Sequence, residues 1–291
     1  FFPSWEILPH EDKLPHADVI SERLETLQAL KTSSVKRAPI VVASVEAVTQ
    51  HTYQPDQLVE RSRIMRKGDT IDPLDLVEWL EDQHYDSEVQ VNQKSELAMR
   101  GGIIDVFPPT SAWPVRLEFF GDELESLRLF DPVSQVSRES VDEVDLSPAG
   151  ELGILKRIHE AAPDDNLGSL LDYLPADAVI VFANPEAIDE HVGEYEEQVP
   201  EDDPFHIGYD VLRRAIEQAG LVTIELNEAP AEDGQTYFAS LDDFRPLGEH
   251  APDPQIAEAQ RREFFAQLHR WLRQGFEVQV CCNNEGERQR F

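Results

Sequence analysis

Only two cysteines occur in the 291 residues, and they are neighbours, Cys281 and Cys282. Adjacent cysteines cannot staple a fold, which excludes a disulfide framework and points to a reducing, cytoplasmic setting. Long apolar runs are missing too. None reaches the ~20 residues needed to span a bilayer, so no membrane is expected among the partners. Basic residues are scarce: 25 Lys and Arg face 58 Asp and Glu, for a formal net charge of −33. Sequence-independent binding to DNA, RNA or an anionic membrane would then meet repulsion instead of releasing counterions. The usual catalytic signatures are absent as well. There is no Gly-x-x-x-x-Gly-Lys-Ser/Thr phosphate loop, and no acidic pair closes a buried strand. The nine histidines form no His-x-x-x-His, and Cys-x-x-Cys is missing, so no metal site is expected. No Gly-x-Ser-x-Gly elbow occurs. No catalytic residue is assigned, and the chain is not expected to be an enzyme by itself. Phe1, not Met, stands first, and the sequence is expected to be a piece of a longer chain.

What is present is an uneven distribution of charge. Residues 1–68 hold nine basic and nine acidic residues, net zero. Residues 69–149 hold five against nineteen, net −14, and residues 150–291 hold eleven against thirty, net −19. The composition shifts place boundaries near 68 and near 148–150. The length itself suggests about two domains.

Hydrophobic periodicity fills in the segments. In the first, Ile20, Leu24, Leu27 and Leu30 share a helical face. Ile40 to Val45 reads as a parallel strand buried on both faces. Ser44 reads as the N-cap of a short helix, Pro55 starts another, and Arg61 to Lys67 is a polar strand or linker. In the middle segment Asp72-Pro73 opens a helix with Leu74, Val77, Trp79 and Leu80 buried. Period-two runs follow at Val89 and Val91, Ile103 to Phe107, Val115 to Phe119, and Leu124 to Val133, punctuated by Gly101-Gly102, Pro108-Pro109 and Gly121-Asp122. This predicts a helix on a small antiparallel sheet. The last segment predicts helices over 167–174, 186–197, 209–219 and 256–274. Its predicted strands are 178–183, 222–226, 236–238 and 276–282. The fold class is α/β: a parallel αβ domain from 1–68 and 150–291, with an α+β domain of residues 69–149 inserted.

Three stretches carry a resemblance. They are Phe2-Pro3-Ser4-Trp5-Glu6 through Ile20-Ser21-Glu22-Arg23-Leu24; Arg100-Gly101-Gly102-Ile103-Ile104-Asp105-Val106-Phe107-Pro108-Pro109; and Arg116 to Arg128, ending Phe130-Asp131-Pro132. Asn283-Asn284-Glu285-Gly286-Glu287-Arg288 adds to them. Together they resemble the UvrB-homology module at the start of bacterial transcription-repair coupling factors. UvrB itself is the runner-up, but its aromatic-rich hairpin has no room between Pro9 and Ile20. One local departure is Ser95-Glu96-Leu97, where the family commonly has Gly-Glu-Phe.

The resemblance implies a degenerate helicase-like (P-loop NTPase-like) domain without a working nucleotide site, and an insert that binds UvrA. ATP and magnesium are then expected only in translocase domains outside this chain. RNA polymerase and DNA are expected as partners of those absent domains. Arg100, Arg116 and Phe120 are the expected UvrA-binding residues. The arginines are read as exposed forks, with pairing to Glu118 or Asp105 as the alternative. Asp105 is expected to satisfy turn amides. Phe119 should face inward and Phe120 outward, because adjacent strand residues point to opposite faces. Two other readings stay open: a fragment of a UvrB-like ATP-dependent repair subunit, and an acidic protein that mimics DNA charge.

Overall fold

The computed structural model describes residues 1–32, 39–163, 167–227 and 254–277. The fold is mixed α/β. It divides into two compact units, Phe1–Asn227 and Glu228–Phe291.

The first unit opens with α1 (Ala17–Thr32), α2 (Val45–Val48) and α3 (Pro55–Glu60). Ile20, Leu24, Leu27 and Leu30 are buried, the face that the i, i+4, i+7 spacing predicts. The Ser44 hydroxyl accepts the Ala47 N–H at 3.4 Å and caps α2. With Phe2, Trp5, Tyr53, Leu152 and Leu155 these helices form one core. Ile40 to Val45 does not form the predicted buried strand. Ala43 makes a single parallel bridge to Phe2, and Ile40 and Val42 are 92% and 62% exposed. A parallel strand needs paired neighbours and cover on both faces. Among the described residues this run has one bridge, and only Val41 and Ala43 pack on the core.

A buried ion pair ties this frame together. Arg23 and Glu151 are both fully buried, with Arg23 Nε donating to Glu151 Oε2 at 2.6 Å. Trp5 Nε1 donates to the same oxygen at 2.8 Å, and Thr52 Oγ1 to Oε1 at 2.6 Å. Arg23 also donates to Pro3 O at 2.8 Å and lies 4.2 Å from the Phe2 ring centroid.

The middle segment contributes β1 (Arg63–Arg66), α4 (Pro73–Asp82), β2 (Asp86–Ser87), β3 (Glu96–Arg100), β4 (Ile103–Val106), β5 (Val115–Phe120), β6 (Glu123–Phe130), β7 (Ser137–Val141) and β8 (Glu143–Leu146). Strands β2 to β7 form one six-stranded sheet in sequence order, and β1 pairs antiparallel with β8. Leu76 and Leu80 of α4 pack on the inner sheet face with Leu97, Ile104, Val115, Leu117, Leu124 and Leu127. Leu74, predicted to be buried, is 63% exposed. Two residues along a helix is a rotation of about 200°, so burying Leu76 turns Leu74 outward. Val89 is exposed and Val91 is buried, but neither lies in a strand. Strands β2, β3, β7 and β8 were not predicted. Ser95 lies in left-handed backbone with φ +71°.

The end of α4 is locked to the residues that follow the sheet. His84 sits at φ +67°, and Tyr85 N donates to Leu80 O at 3.1 Å, closing a helix C-terminal motif usually built on glycine. The His84 side chain fills space left by two glycines. A methyl group on Gly150 would fall 2.7 Å from His84 Cβ, and one on Gly153 would fall 2.5 Å from its Cε1. Ala149 N donates to Gln83 O at 2.8 Å across the same joint.

Then come α5 (Leu152–Ala161), β9 (Val179–Ala183), α6 (Pro185–Glu196), α7 (Tyr209–Gln218) and β10 (Val222–Leu226). α5 was not predicted, and the helix predicted over 167–174 is a 3-10 turn, Leu170–Tyr173. β9 and β10 pair in parallel. Phe182 packs on Leu212 and Ile216, whereas Val179, Val181, Val222 and Ile224 on the opposite face are exposed. Among the described residues, the strand predicted at 178–183 is therefore covered on one face and not on two. In the second unit α8 spans Pro254–Arg273, close to its predicted bounds. The predicted strand at 236–238, residues 278–282 of the last one, and Cys281 and Cys282 lie outside the described residues. Among the described residues no helix is long and apolar enough to cross a membrane.

Candidate functional site

The face of the six-stranded sheet away from α4 carries the candidate site. Two tight hairpins bound one end of it. Arg100-Gly101-Gly102-Ile103 joins β3 to β4, and Phe120-Gly121-Asp122-Glu123 joins β5 to β6. Gly101 has φ +63° and Gly121 φ +60°, while the second central residue of each turn is not in left-handed backbone. That is the pattern of type II′ hairpin turns, which favour glycine at the first position. Gly102 is required for a different reason. Its carbonyl accepts the Phe119 N–H at 2.7 Å, and an added Cβ would lie 2.8 Å from Phe119 O.

Register then decides which side chains share the face. Arg100 pairs with Ile103, Ile103 with Glu118, and Glu118 with Ser126. Ala98, Asp105, Arg116 and Arg128 form the next row. The register shifts at Glu118/Phe119, with Glu125 left over on β6, so Phe119 opposes Leu124 and Phe120 opposes Glu123. Phe119 thereby keeps to the inner face, half-buried against the core, and Phe120 is 77% exposed. Ile103 is 37% exposed.

The two arginines differ. Arg100 is exposed and ends β3. No ion pair holds it among the described residues. Arg116 is not the open fork that was expected. Its Nε and Nη2 donate to Asp105 Oδ1 and Oδ2 at 2.7 and 2.8 Å, and its side chain is 19% exposed. Its guanidinium also lies 4.8 Å from the Phe130 ring centroid. The hydrogen bonds to Asp105 hold the Arg116 proton more tightly than in a free guanidinium. Asp105, 2% exposed, takes this fork in place of turn amides. A buried carboxylate between Ile104 and Val106 needs a cation, and the register sets Arg116 directly across the ladder from it.

Beside this pair, Glu118 accepts from Ser126 Oγ and Arg128 Nη2, both at 2.5 Å. The Ser126 hydroxyl, aided by the Arg128 cation, holds the Glu118 carboxyl below its ordinary range. At the far end Val91, Ala98, Phe107 and Phe130 make a small core of their own. The face is thus closed at one end and open at the other, where Arg100, Ile103 and Phe120 stand. Among the described residues no group of three or more His, Cys, Asp or Glu could hold a metal ion.

Residues 64–152 match the family model of the UvrB interaction domain. The match starts within β1 and runs to the first residue of α5, so it takes in the whole sheet, its helix and the His84 joint. The chain is also similar to curated transcription-repair-coupling factors. It is 37% identical over 147 residues to that of Escherichia coli, covering 50% of this chain and 12% of the relative. The Haemophilus influenzae protein is 36% identical over 152 residues, covering 52% and 13%. The Bacillus subtilis protein is 31% identical over 179 residues, covering 60% and 15%. The matched stretch therefore spans less than a sixth of these relatives. Within the interaction domain both glycine hairpins, the Asp105–Arg116 pair and Phe120 lie inside the matched residues.

Proposed function

We propose that this chain is an adaptor part of a transcription-repair coupling factor, and that the open end of its interaction domain docks UvrA. The observation that carries the reading is Phe120. It is a large aromatic, 77% exposed, on a strand whose other face builds the core, and an unheld cation stands on the same face. An aromatic anchor beside arginine is a common hot-spot composition. The similarity to coupling factors and to the UvrB interaction domain supports the choice of partner.

The flanking residues then act as a degenerate helicase-like frame with the interaction domain inserted. The parallel β9–β10 pair with α6 and α7 supports that part of the reading. In it the chain has no cofactor of its own and works in the cytoplasm. ATP, magnesium, RNA polymerase and DNA engage domains elsewhere in the full-length factor. The test is a binding titration of the chain against UvrA. Phe120→Ala is expected to weaken binding at least about tenfold, equivalent to ~1.4 kcal/mol, with an unchanged thermal melt. Normal binding by this variant refutes the proposed face.

A further inference from the structure

Helices α3, α4 and α5 enclose a cleft of about 640 Å³. That is the size of a site for a small ligand or a short chain segment. From α5 come Ile154, Arg157, Ile158 and Ala161, a single helical face at i, i+3, i+4 and i+7. Arg61 comes from the C-cap of α3, and Gln83 from that of α4. The two arginines are uncommitted. Among the described residues Arg23, Arg66, Arg116, Arg128 and Arg213 form ion pairs and Arg61 and Arg157 do not, although acids outnumber bases 58 to 25. Arg157 Nη2 donates to Asp82 O at 2.5 Å, at the carbonyl end of α4, where a cation is favoured. The Arg61 side chain has no hydrogen bond among the described residues. Gln83 is 6% exposed, and its Oε1 is buried without a hydrogen-bond partner. Such an acceptor is costly until a donor reaches it. The positive charge of the cleft reaches His84, which is held low first by burial and then by Arg157, with Arg61 adding to it against Asp86 and Asp82.

We infer that this cleft is a second binding site, and that it takes a short acidic peptide segment. Its polar groups need opposite things. Arg61 and Arg157 lack acceptors, whereas Gln83 Oε1 lacks a donor, and the exposed Glu60 and Asp82 beside it are outside any ion pair among the described residues. A peptide supplies both. Its carboxylates suit the guanidinium forks, its main-chain N–H groups suit Gln83 Oε1 and the rim carboxylates, and its apolar side chains suit Ile154 and Ile158. Arginine clusters are a recurrent means of reading acidic motifs. A nucleic-acid backbone is a poorer fit, because it brings phosphates without matching donors and meets Glu60 and Asp82 in a chain of net charge −33. Helices α3 and α5 belong to the frame and α4 to the interaction domain, so a segment held by all three fastens one to the other.

The probe is a short capped peptide alternating Glu and Leu, dye-labelled and titrated with the whole chain by fluorescence anisotropy at about 0.15 M salt. UvrA takes no part in the assay, so the result is independent of the docking reading above. Saturable binding is expected, at least about tenfold tighter than for the same peptide with Gln at every Glu. Arg61→Gln and Arg157→Gln are each expected to bind at least about fivefold weaker than the parent. Gln83→Leu is expected to bind about threefold weaker while melting no lower than the parent, since it deletes an acceptor that only the ligand satisfies. The inference is overturned by the absence of saturable binding, by equal binding of the neutral peptide, or by parental affinity in Arg61→Gln or Gln83→Leu. It is overturned equally if a short single-stranded oligonucleotide displaces the peptide at equal concentration, which would make the cleft a reader of phosphate. Arg157→Gln also removes the bond to Asp82 O. Should that variant melt early, Arg61→Gln decides alone, because its side chain has no bond among the described residues to lose.

Discussion

Arg23→Met is the sharpest probe of what holds the frame around the interaction domain. Methionine keeps an unbranched apolar stem beside Phe2 and Trp5 but removes every donor. Glu151 then keeps only Trp5 Nε1 and Thr52 Oγ1 as partners for a carboxylate that is wholly out of water. Pro3 O loses its donor as well. Removing one member of a buried ion pair costs about 3–5 kcal/mol, mostly because the remaining charge is stranded. The two surviving hydrogen bonds place the expected loss toward the lower end, about 3 kcal/mol. The assay is a urea titration followed by tryptophan fluorescence and far-UV circular dichroism. Trp5 is 3% exposed and bonded to the affected carboxylate, so it reports locally. Glu151→Gln and the double variant complete a cycle, and the coupling between the two sites should exceed about 1 kcal/mol, as for residues in one network. A loss below about 1 kcal/mol for Arg23→Met, or purely additive singles, would show that this pair does not hold the frame.

Two further outcomes follow from backbone and burial. Ser95→Gly should stabilise the interaction domain by roughly 1 kcal/mol, because Ser95 holds a left-handed conformation that glycine adopts without strain; a lower denaturation midpoint would contradict this. His51 and His84 are both held below the ordinary histidine range, chiefly by burial, and for His84 also by the Arg157 cation. A folded pKa below the unfolded value near 6.5 means that the unfolded chain binds protons first. Stability is therefore full above about pH 7 and falls as pH drops through 6.5 toward the folded values. His84→Gly should lose less stability than the parent between about pH 7.5 and about pH 5; thermal melts at the two pH values check this, and an equal loss in both proteins refutes it.

Periodicity located what a single face can encode. The α1 stripe from Ile20 to Leu30, the cap at Ser44 and the strands around Leu117 and Leu124 were legible because burial there repeats with the element's own period. Ile40 to Val45 was misread because composition reports that a run is apolar, not that its neighbours exist to cover it. Strand β7 was invisible for the opposite reason: Ser137 to Glu139 and Ser140 are all exposed, and pairing alone makes them a strand. At the site, the outward aspect of Phe120 followed from alternation, although the bulge on β6 that preserves it did not show in the sequence. Arg116 was the instructive case. Its type and position suggested an open fork, and only the register, which sets Asp105 directly opposite, shows the guanidinium already engaged.

The β1–β8 pairing has a consequence for the order of events on the ribosome. Arg63 pairs with Leu146, and the strands from β3 to β7 each pair with the next one made. At roughly 5–20 residues per second, the partner of Arg63 emerges roughly 4–17 s after it. Hairpins close in microseconds once their residues are available. The sheet bearing Arg100 and Phe120 can thus assemble strand by strand while β1 is still without a partner. Met65, 3% exposed in the finished fold, must stay uncovered on that side until Val144 arrives opposite it. The nascent chain therefore passes through an interval in which the face bearing Arg100 and Phe120 is complete and the β1–β8 pairing is not. During that interval Met65 adds an apolar target at β1 to the one that Phe120 presents throughout.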